Sequence, residues 1–499
     1  MEDLINTLNG IIWSRALIVL CLGAGLYFSI RTRFMQVRGV GEMIRLMLNN
    51  KASVAGVSSF QALAISLSGR VGIGNIAGVA TAIAFGGPGA VFWMWVMAFL
   101  GASTAYVEST LAQIYKEKDD SGQYRGGPAY YIEKAMGQKW YAWLFAAVTI
   151  IATGFLLPGV QANGIAEGMS NAFGVPPAVT AAVVVVALGF IIFGGVRRIA
   201  RFAEVVVPFM ALAYILVALV IMFLNHDKLP GMFSLVFSSA FGMHAGFGAM
   251  LGLAVEWGVK RGIYSNEAGQ GTGPHAAAAA EVEHPAQQGY VQAFSVYVDT
   301  LLVCTATAFM ILSTGMYNVV GKGGEMLVEA LPGIDAGPGY AQSAVEMVLP
   351  GYGAGFVAMA LLFFAFTTTL AYYYMAETNV AYINRKVHRP WLVFLLRIAL
   401  LAAVTFGAVR SSGMAWALGD IGVGLMAWLN LVAILILQRP ALAALRDYEA
   451  QKAAGVEQYS FDPEALKIRN ARFWERKQEG LEPVIREADI DGGTGSDSP

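Results

Sequence analysis

Long apolar blocks, each closed by a short polar or glycine-rich stretch, set the pattern of this 499-residue chain. Residues 13–30, 58–86, 90–115, 140–167, 178–195, 203–224, 287–314, 353–383, 390–409 and 412–437 each have the length of a membrane-crossing helix, for which about 20 residues suffice. A further apolar segment, 234–280, is interrupted in its middle. The pattern predicts an all-α integral membrane protein with about 11 transmembrane helices. Between the spans, Arg31, Arg33, Arg38 and Arg45 lie in a basic amphipathic stretch, 31–51, that suits a membrane interface. A charged loop follows at 116–139, and a basic turn at Arg197, Arg198 and Arg201. Further on come a glycine-rich loop at 315–350 and a second basic turn at Arg385, Lys386 and Arg389. Beyond Arg439 the chain becomes charged and ends in GGTGSDSP, the composition of a partly disordered tail.

Two of these blocks make poor helices at mid-membrane. In the first, Ser68-Gly69-Arg70-Val71-Gly72-Ile73-Gly74-Asn75 carries glycines that each cost about 1 kcal/mol relative to alanine in a helix interior. Arg70 and Asn75 are expensive at that depth unless they face protein, water or a ligand. Backbone that is not helical survives in a membrane only where it lines a cavity or is buried in protein. Residues 69–74 are therefore expected to form a binding site of unwound main chain. Gly72-Ile73-Gly74-Asn75-Ile76-Ala77 also fits the dinucleotide fingerprint G-x-G-x-x-A, but no acidic residue follows before Glu108 and the flanks are helix. Close helix packing would explain a single glycine, but not several beside Arg70 and Asn75. The second anomaly runs from Glu256-Trp257-Gly258 through Ile263, Tyr264 and Glu267 to Pro274. Its apolar flanks are each half a membrane long, so it reads as another discontinuous helix.

Composition narrows the class. The chain is 57% hydrophobic and 13% charged, against about 25% charged residues in soluble domains. A net charge of −1 gives no sign of a nucleic-acid partner. Cys21 and Cys304 sit in apolar helices, and no C-x-x-C or His/Cys cluster suggests a disulfide or a metal. With no H-E-x-x-H or G-x-S-x-G, the chain does not read as an enzyme. The acidic start, Glu2 and Asp3, does not suit a signal peptide, so the first span reads as uncleaved.

With the amino terminus outside, the basic stretches at 31–51, 116–139, 197–201 and 385–389 share one side with the tail, which the positive-inside rule makes cytoplasmic. Setting the first span aside leaves ten, with interrupted helices in first and sixth place. Matching breaks in two five-helix halves point to an inverted-repeat secondary transporter, whereas a channel would need a pore-lining filter. The expected division is a leading helix and interfacial segment (1–57), two repeats (58–225 and 226–438) and a tail (439–499).

Val71-Gly72-Ile73-Gly74-Asn75 resembles the unwound first helix of sodium-coupled amino-acid transporters with the LeuT-type five-plus-five fold. More narrowly, VGIGNIAGVA (71–80), GGPGAVFWMWV (86–96) and GIYSNEAGQG (262–271) resemble the alanine/glycine:cation symporter family, a likeness that covers spans two to eleven. The resemblance implies a sodium-coupled symporter that imports alanine, glycine or D-alanine across the bacterial cytoplasmic membrane, with proton coupling as the first alternative and a channel or transceptor on the same fold as the second. It implies no cofactor besides Na+ as coupling ion. In such a site the backbone of Gly72, Ile73, Gly74 and Asn75 would hold the substrate carboxylate at the positive end of a half-helix. Carbonyls near Trp257 and Gly258 would take the ammonium, Ile263 and Tyr264 would bound the pocket, and Gln161 could reach substrate or bridge helices. One sodium would use the Asn75 side chain and the Arg70 carbonyl. Another would use the carbonyls of Ser68 and Val71 with the hydroxyls of Thr367 and Thr368, although such hydroxyls also bond back to their own helix. Asp299 and Glu267 are the candidates for coupling or gating, with Asp299 equally able to pair with Arg70, Lys260 or Arg261. Glu108 and Glu377 are expected near cytoplasmic helix ends, solvated or paired.

Overall fold

The structure, a computed structural model, describes residues 2–48, 56–119, 122–194, 196–244, 246–387, 389 and 391–481. Lys51 and the expected disordered end beyond 481 lie outside them, as does the Arg197 side chain. Apart from two short hairpins, Glu117–Lys118 with Tyr124–Arg125 and Asn318–Val320 with Met326–Glu329, its regular elements are helices. Among the described residues, eight helices are long and apolar enough to cross a membrane. A ninth span consists of Ser59–Arg70 and Gly74–Gly86, bent against each other by 52°. Pro177–Ile192 is apolar but shorter. The interrupted segment is occupied by Leu251–Asn266 and Gly273–Ala279.

Helix Gly89–Ile114 is the post around which the two broken helices are arranged. It packs against Leu251–Asn266, Gly273–Ala279 and Pro285–Val296. Small residues let the backbones meet: a Cβ on Gly258 would stand 2.6 Å from the Ala90 carbonyl oxygen, and one on Gly289 would stand 2.2 Å from Thr110 Oγ1. The first broken helix starts from a capping box in which Ser58 and Gln61 bond reciprocally. It lies between Val196–Leu224 and Gly353–Val387.

The apolar pattern does not predict Glu2–Ile12, Leu229–Ala240 or Pro338–Val348, each too short to make a span-length window. Nor does the expected stop at 437 occur. Helix Ser412–Ala453 continues through Arg439-Pro440 although Pro440 removes one backbone bond. Beyond it Ala441, Ala444, Leu445 and Tyr448 are buried, and the Tyr448 hydroxyl donates to Glu42 Oε1 at 2.5 Å. That packing outweighs the local breaker.

His284 caps helix Pro285–Val296. Its Nδ1 accepts from the Ala286 N–H at 3.1 Å, and its Nε2 faces Asp447 Oδ2 at 3.0 Å. Burial holds its pKa below the ordinary imidazole value, with Asp447 pulling the other way. A depressed histidine favours the neutral form in the fold. Its contribution is complete above the unfolded value of about 6.5 and is lost as the pH falls through the folded value. Detergent-purified protein should therefore lose thermal stability between about pH 7.5 and pH 5.5. His284→Asn, which keeps a side-chain acceptor, should flatten that loss. Equal slopes in the two proteins would remove His284 from the account.

Candidate functional site

At the first break the chain leaves the helix at Val71, whose φ and ψ are −77° and 87°. Gly69 and Arg70 stay helical, so the unwound piece is shorter than 69–74. The Gly72 N–H donates to Asn75 Oδ1 at 2.8 Å, and the Ile73 N–H donates to Gln161 Oε1 at 3.0 Å. Two of the donors expected to await a carboxylate are thus held by side-chain amide oxygens. Gly72 has no room for a side chain, since a Cβ would stand 2.4 Å from Thr368 Oγ1. Gly74 faces the other broken helix, where a Cβ would meet Tyr264 and Ser265 at 3.1 and 3.2 Å. The Ile73 side chain presses on Gly164, where a Cβ would lie 2.0 Å from its Cδ1.

The second break lies later than the sequence suggests. Helix Leu251–Asn266 runs through Trp257 and Gly258, which therefore offer no free carbonyls. Gly258 is packed on Ala90 and Trp93, and the Trp257 ring lies 4.8 Å from that of Phe85. What ends the helix is a run of left-handed residues, Glu267 (φ 58°), Gly269 (φ 87°) and Gly271 (φ 83°). The Ile263 carbonyl accepts from the Glu267 N–H at 2.9 Å and from Gln270 Nε2 at 2.6 Å. The N–H groups of Gly269 and Gly271 donate to the two carboxylate oxygens of Glu108, both at 3.2 Å. Asn430 Nδ2 donates to Glu108 Oε2 at 2.7 Å and to the Gly269 carbonyl at 3.0 Å. Glu108 is thus fully buried at the second break rather than solvated. Glu377 lies 4.0 Å from Arg125. Sequence reasoning missed Asn430, an amide in an apolar run that gave the only signal available.

Asp299 stands between the breaks, fully buried. It accepts from Asn75 Nδ2 at 2.6 Å, from Ser265 Oγ at 3.1 and 3.0 Å, and from Thr300 Oγ1 at 2.7 Å. The bases it could have paired with are engaged elsewhere. Lys260 and Arg261 share Asp420, at 2.8 and 2.7 Å. Arg70 Nη1 donates to the Gln292 carbonyl at 3.0 Å and to Ser295 Oγ. Among the described residues no Lys or Arg nitrogen comes within 4.0 Å of Asp299. A buried carboxylate without a cation is costly, and the hydroxyl oxygens of Ser265 and Thr300 beside it are of the kind a hard cation takes.

The residues expected at the second cation seat are not all at the break. Thr368 Oγ1 donates to the Val71 carbonyl at 3.3 Å, which puts it at the break. The Thr368 hydroxyl also bonds back to the Phe364 carbonyl at 2.9 Å, whereas Thr367 has only back-bonds to Phe363 and Phe364 and faces Met210, 3.9 Å away. The Ser68 hydroxyl also bonds back, to Ile65, leaving only its carbonyl for a cation. Glu267 reaches toward Gly69, where a Cβ would stand 3.3 Å from its Oε2. Among the described residues neither of its oxygens has a partner in good hydrogen-bond geometry, with the Thr272 and Tyr372 hydroxyls nearby.

A cavity of about 540 Å³ is lined by Asn9, Trp13, Trp257, Lys260, Trp416 and Asp420, among others. Tyr264 and Trp416, with ring centroids 4.9 Å apart, separate it from the breaks. The Arg261 guanidinium lies 4.3 Å from the Trp416 centroid. The arrangement is a buried polar site between two broken helices under an aromatic lid.

Residues 1–463 match the sodium:alanine symporter family. The chain is 61% identical over 477 residues to the putative sodium/proton-dependent alanine carrier protein YrbD of Bacillus subtilis, covering 96% of this chain and 98% of that protein. It is 55% identical over 436 residues to the sodium/proton-dependent alanine carrier protein of Bacillus sp. strain PS3, covering 87% and 97%. Its fold is similar to that of a manganese transporter of Eremococcus coleocola, with a TM-score of 0.50 at 12% identity over 84% of this chain and 92% of that one.

Exchanging choline for sodium at constant ionic strength should raise the melting temperature of the purified protein. An ion held only by the folded state adds about 2.7 kcal/mol at 100 times its dissociation constant. Asp299→Asn should remove most of that rise and Thr368→Ala part of it, while Thr367→Ala keeps it. Loss in Thr367→Ala with an intact response in Thr368→Ala would show that the wrong threonine stands at the break.

Proposed function

We propose, since the chain belongs to the sodium:alanine symporter family, that it is a sodium-coupled symporter importing alanine and other small neutral amino acids, glycine and D-alanine included, across the bacterial cytoplasmic membrane by alternating access. The observation that carries the reading is Asp299, a buried carboxylate with amide and hydroxyl donors but no cation, set between two broken helices. Sodium in that seat neutralises the carboxylate. A second sodium takes the Val71 and Ser68 carbonyls with the Thr368 hydroxyl. The substrate carboxylate displaces the amide oxygens from the N–H groups of Gly72 and Ile73. The ammonium meets the carbonyl end of helix Leu251–Asn266, with Tyr264 and Trp416 closing over it.

The layout we propose has eleven spans, counting Pro177–Ile192 and the second broken helix. They form two five-helix repeats of the LeuT type over 58–225 and 226–438, with 1–57 before them and the region from 439 on the cytoplasmic side. Breaks in the first and sixth core helices and the shared side of the basic clusters support it. A specific observation also favours proton coupling as a second reading. Glu108, Glu267 and Asp299 are all buried, and among the described residues none of the three has a Lys or Arg nitrogen within 4.0 Å.

Proteoliposomes loaded to impose sodium and proton gradients separately distinguish the two. Radiolabelled alanine should accumulate under a sodium gradient alone, and accumulation under a proton gradient alone would transfer the role to a titrating carboxylate. The site should also reject bulk. Overpacking by a leucyl or aromatic side chain costs about 1–3 kcal/mol, or roughly 5- to 150-fold in affinity. Unlabelled leucine or phenylalanine competing as well as alanine would overturn this account of size selection. Gly72→Val should abolish uptake with the protein still inserted, because its Cβ would stand 2.4 Å from Thr368 Oγ1.

A further inference from the structure

After helix Ser412–Ala453 the chain turns back across the face where the broken helices have their inner ends. Val57, just before Ser59–Arg70, and Ala280, just after Gly273–Ala279, form a parallel bridge. The Val57 N–H donates to the Ala279 carbonyl and the Glu281 N–H to the Val57 carbonyl, each at 3.0 Å. Helix Gly89–Ile114 ties down the same ends. Gln113 Nε2 donates to the Ala277 carbonyl and, at 2.9 Å, to that of Ala280, which also accepts from Lys116 Nζ at 2.8 Å.

Residues 456–481 are built onto this layer. Trp474 is 1% exposed and its Nε1 donates to the Gln113 carbonyl at 2.8 Å. The Phe473 ring lies edge-on to Tyr124 at 5.2 Å, and the Lys116 ammonium sits 4.4 and 4.6 Å from the centroids of those two rings. Lys477 Nζ donates to the Val282 carbonyl at 3.1 Å, and Asn470 Nδ2 to the Lys134 carbonyl at 2.9 Å.

We infer that this tail is a latch: a docked segment that holds the inner mouth shut and must lift before the inner ends of the broken helices separate. The inference rests on the alternating-access reading above. Gln113 and Lys116 serve both arrangements, since their side chains hold Ala277 and Ala280 while the Gln113 carbonyl and the Lys116 ammonium carry Trp474 and Phe473. Val282 lies two residues past Ala280, so moving Ala280 away from the post also pulls on the Lys477 bond. A segment that docks on one conformation alone shifts the balance toward it by its differential affinity, and its tether keeps the effective concentration high. Removing the dock therefore moves population toward the inward-open state.

The test uses two cysteine reporters in the full chain carrying Cys21→Ala and Cys304→Ala, Ala279→Cys at the inner bridge and Thr81→Cys in the outer cavity. Each is combined with Trp474→Ala, with the milder Lys477→Ala, or with a chain ended after Ala454. An impermeant maleimide is applied to everted and right-side-out vesicles. Unlatching should speed inner labelling of Ala279→Cys about tenfold, the change that about 1.4 kcal/mol of lost docking produces. It should slow outer labelling of Thr81→Cys at the same time. General loosening would speed both reporters, and that result, or unchanged rates in all three backgrounds, overturns the latch. Sodium-driven uptake by the unmodified chain without a reciprocal shift removes the latch alone, whereas absent uptake removes the transport reading itself.

Discussion

A helix that stops half-way across a membrane leaves N–H and C=O groups with no water to satisfy them. Helices Ser59–Arg70 and Leu251–Asn266 both end at buried breaks, and the placement of their neighbours follows from how the groups there are answered. At the first break Asn75 and Gln161 take the N–H groups of Gly72 and Ile73. At the second, Glu108 takes those of Gly269 and Gly271, and Asn430 takes the Gly269 carbonyl. Gln161, Glu108 and Asn430 come from three different helices, so the breaks fix how those helices stand around the centre. The glycines follow from the same requirement. Gly269 and Gly271 must be left-handed for their N–H groups to converge on one carboxylate, and Gly72 must lack a side chain for Thr368 to come close.

Charge separates structure from chemistry. Asp420 is buried but held by Lys260 and Arg261, with three aromatic rings around the Arg261 guanidinium. Such a cluster is satisfied and can brace the outer half of the molecule. Asp299 is equally buried but has donors only. An unpaired carboxylate in a low-dielectric interior is tolerated when an ion or proton completes it. The difference between two aspartates of similar burial thus lies in their partners, and it points to Asp299 as the group that exchanges something with the outside.

The spans were legible because hydrophobic length is a strong signal, and the first break because glycine, arginine and asparagine all violate helix and membrane rules together. The second break was placed too early. Glu256 and Lys260 look like interruptions in a string, yet Gly258 packs on Ala90, Lys260 reaches Asp420, and the helix stays intact. Its real end is set by left-handed backbone at Glu267, a conformation that composition does not reveal. The threonine triplet shows the same limit, because one residue of helical phase decides that Thr368 meets Val71 while Thr367 meets Met210. Glu108 looked peripheral from its position in the span; only the fold brings it under Gly269 and Gly271. The charged tail read as loose, but Phe473 and Trp474 were the apolar anchors that argued otherwise.

In the proposed mechanism, coupling between ion and substrate needs a physical link, and Asn75 supplies one. Its Oδ1 holds the Gly72 N–H at 2.8 Å while its Nδ2 holds Asp299 Oδ1 at 2.6 Å. One planar amide therefore spans the substrate's donor and the ion's carboxylate. When a cation takes over Asp299, the Nδ2 bond loses its purpose and the amide is free to turn, which releases the Gly72 N–H for an incoming carboxylate. The converse follows from linkage, since a substrate that captures the Gly72 N–H frees the amide and opens Asp299 to an ion. Each exchange trades one hydrogen bond for another, at a net cost of about 1 kcal/mol or less, so neither ligand faces a large barrier of broken bonds. The site's economy lies in that sharing: neither ion nor substrate has to carry the full cost of dismantling the empty arrangement, because each undoes part of it for the other.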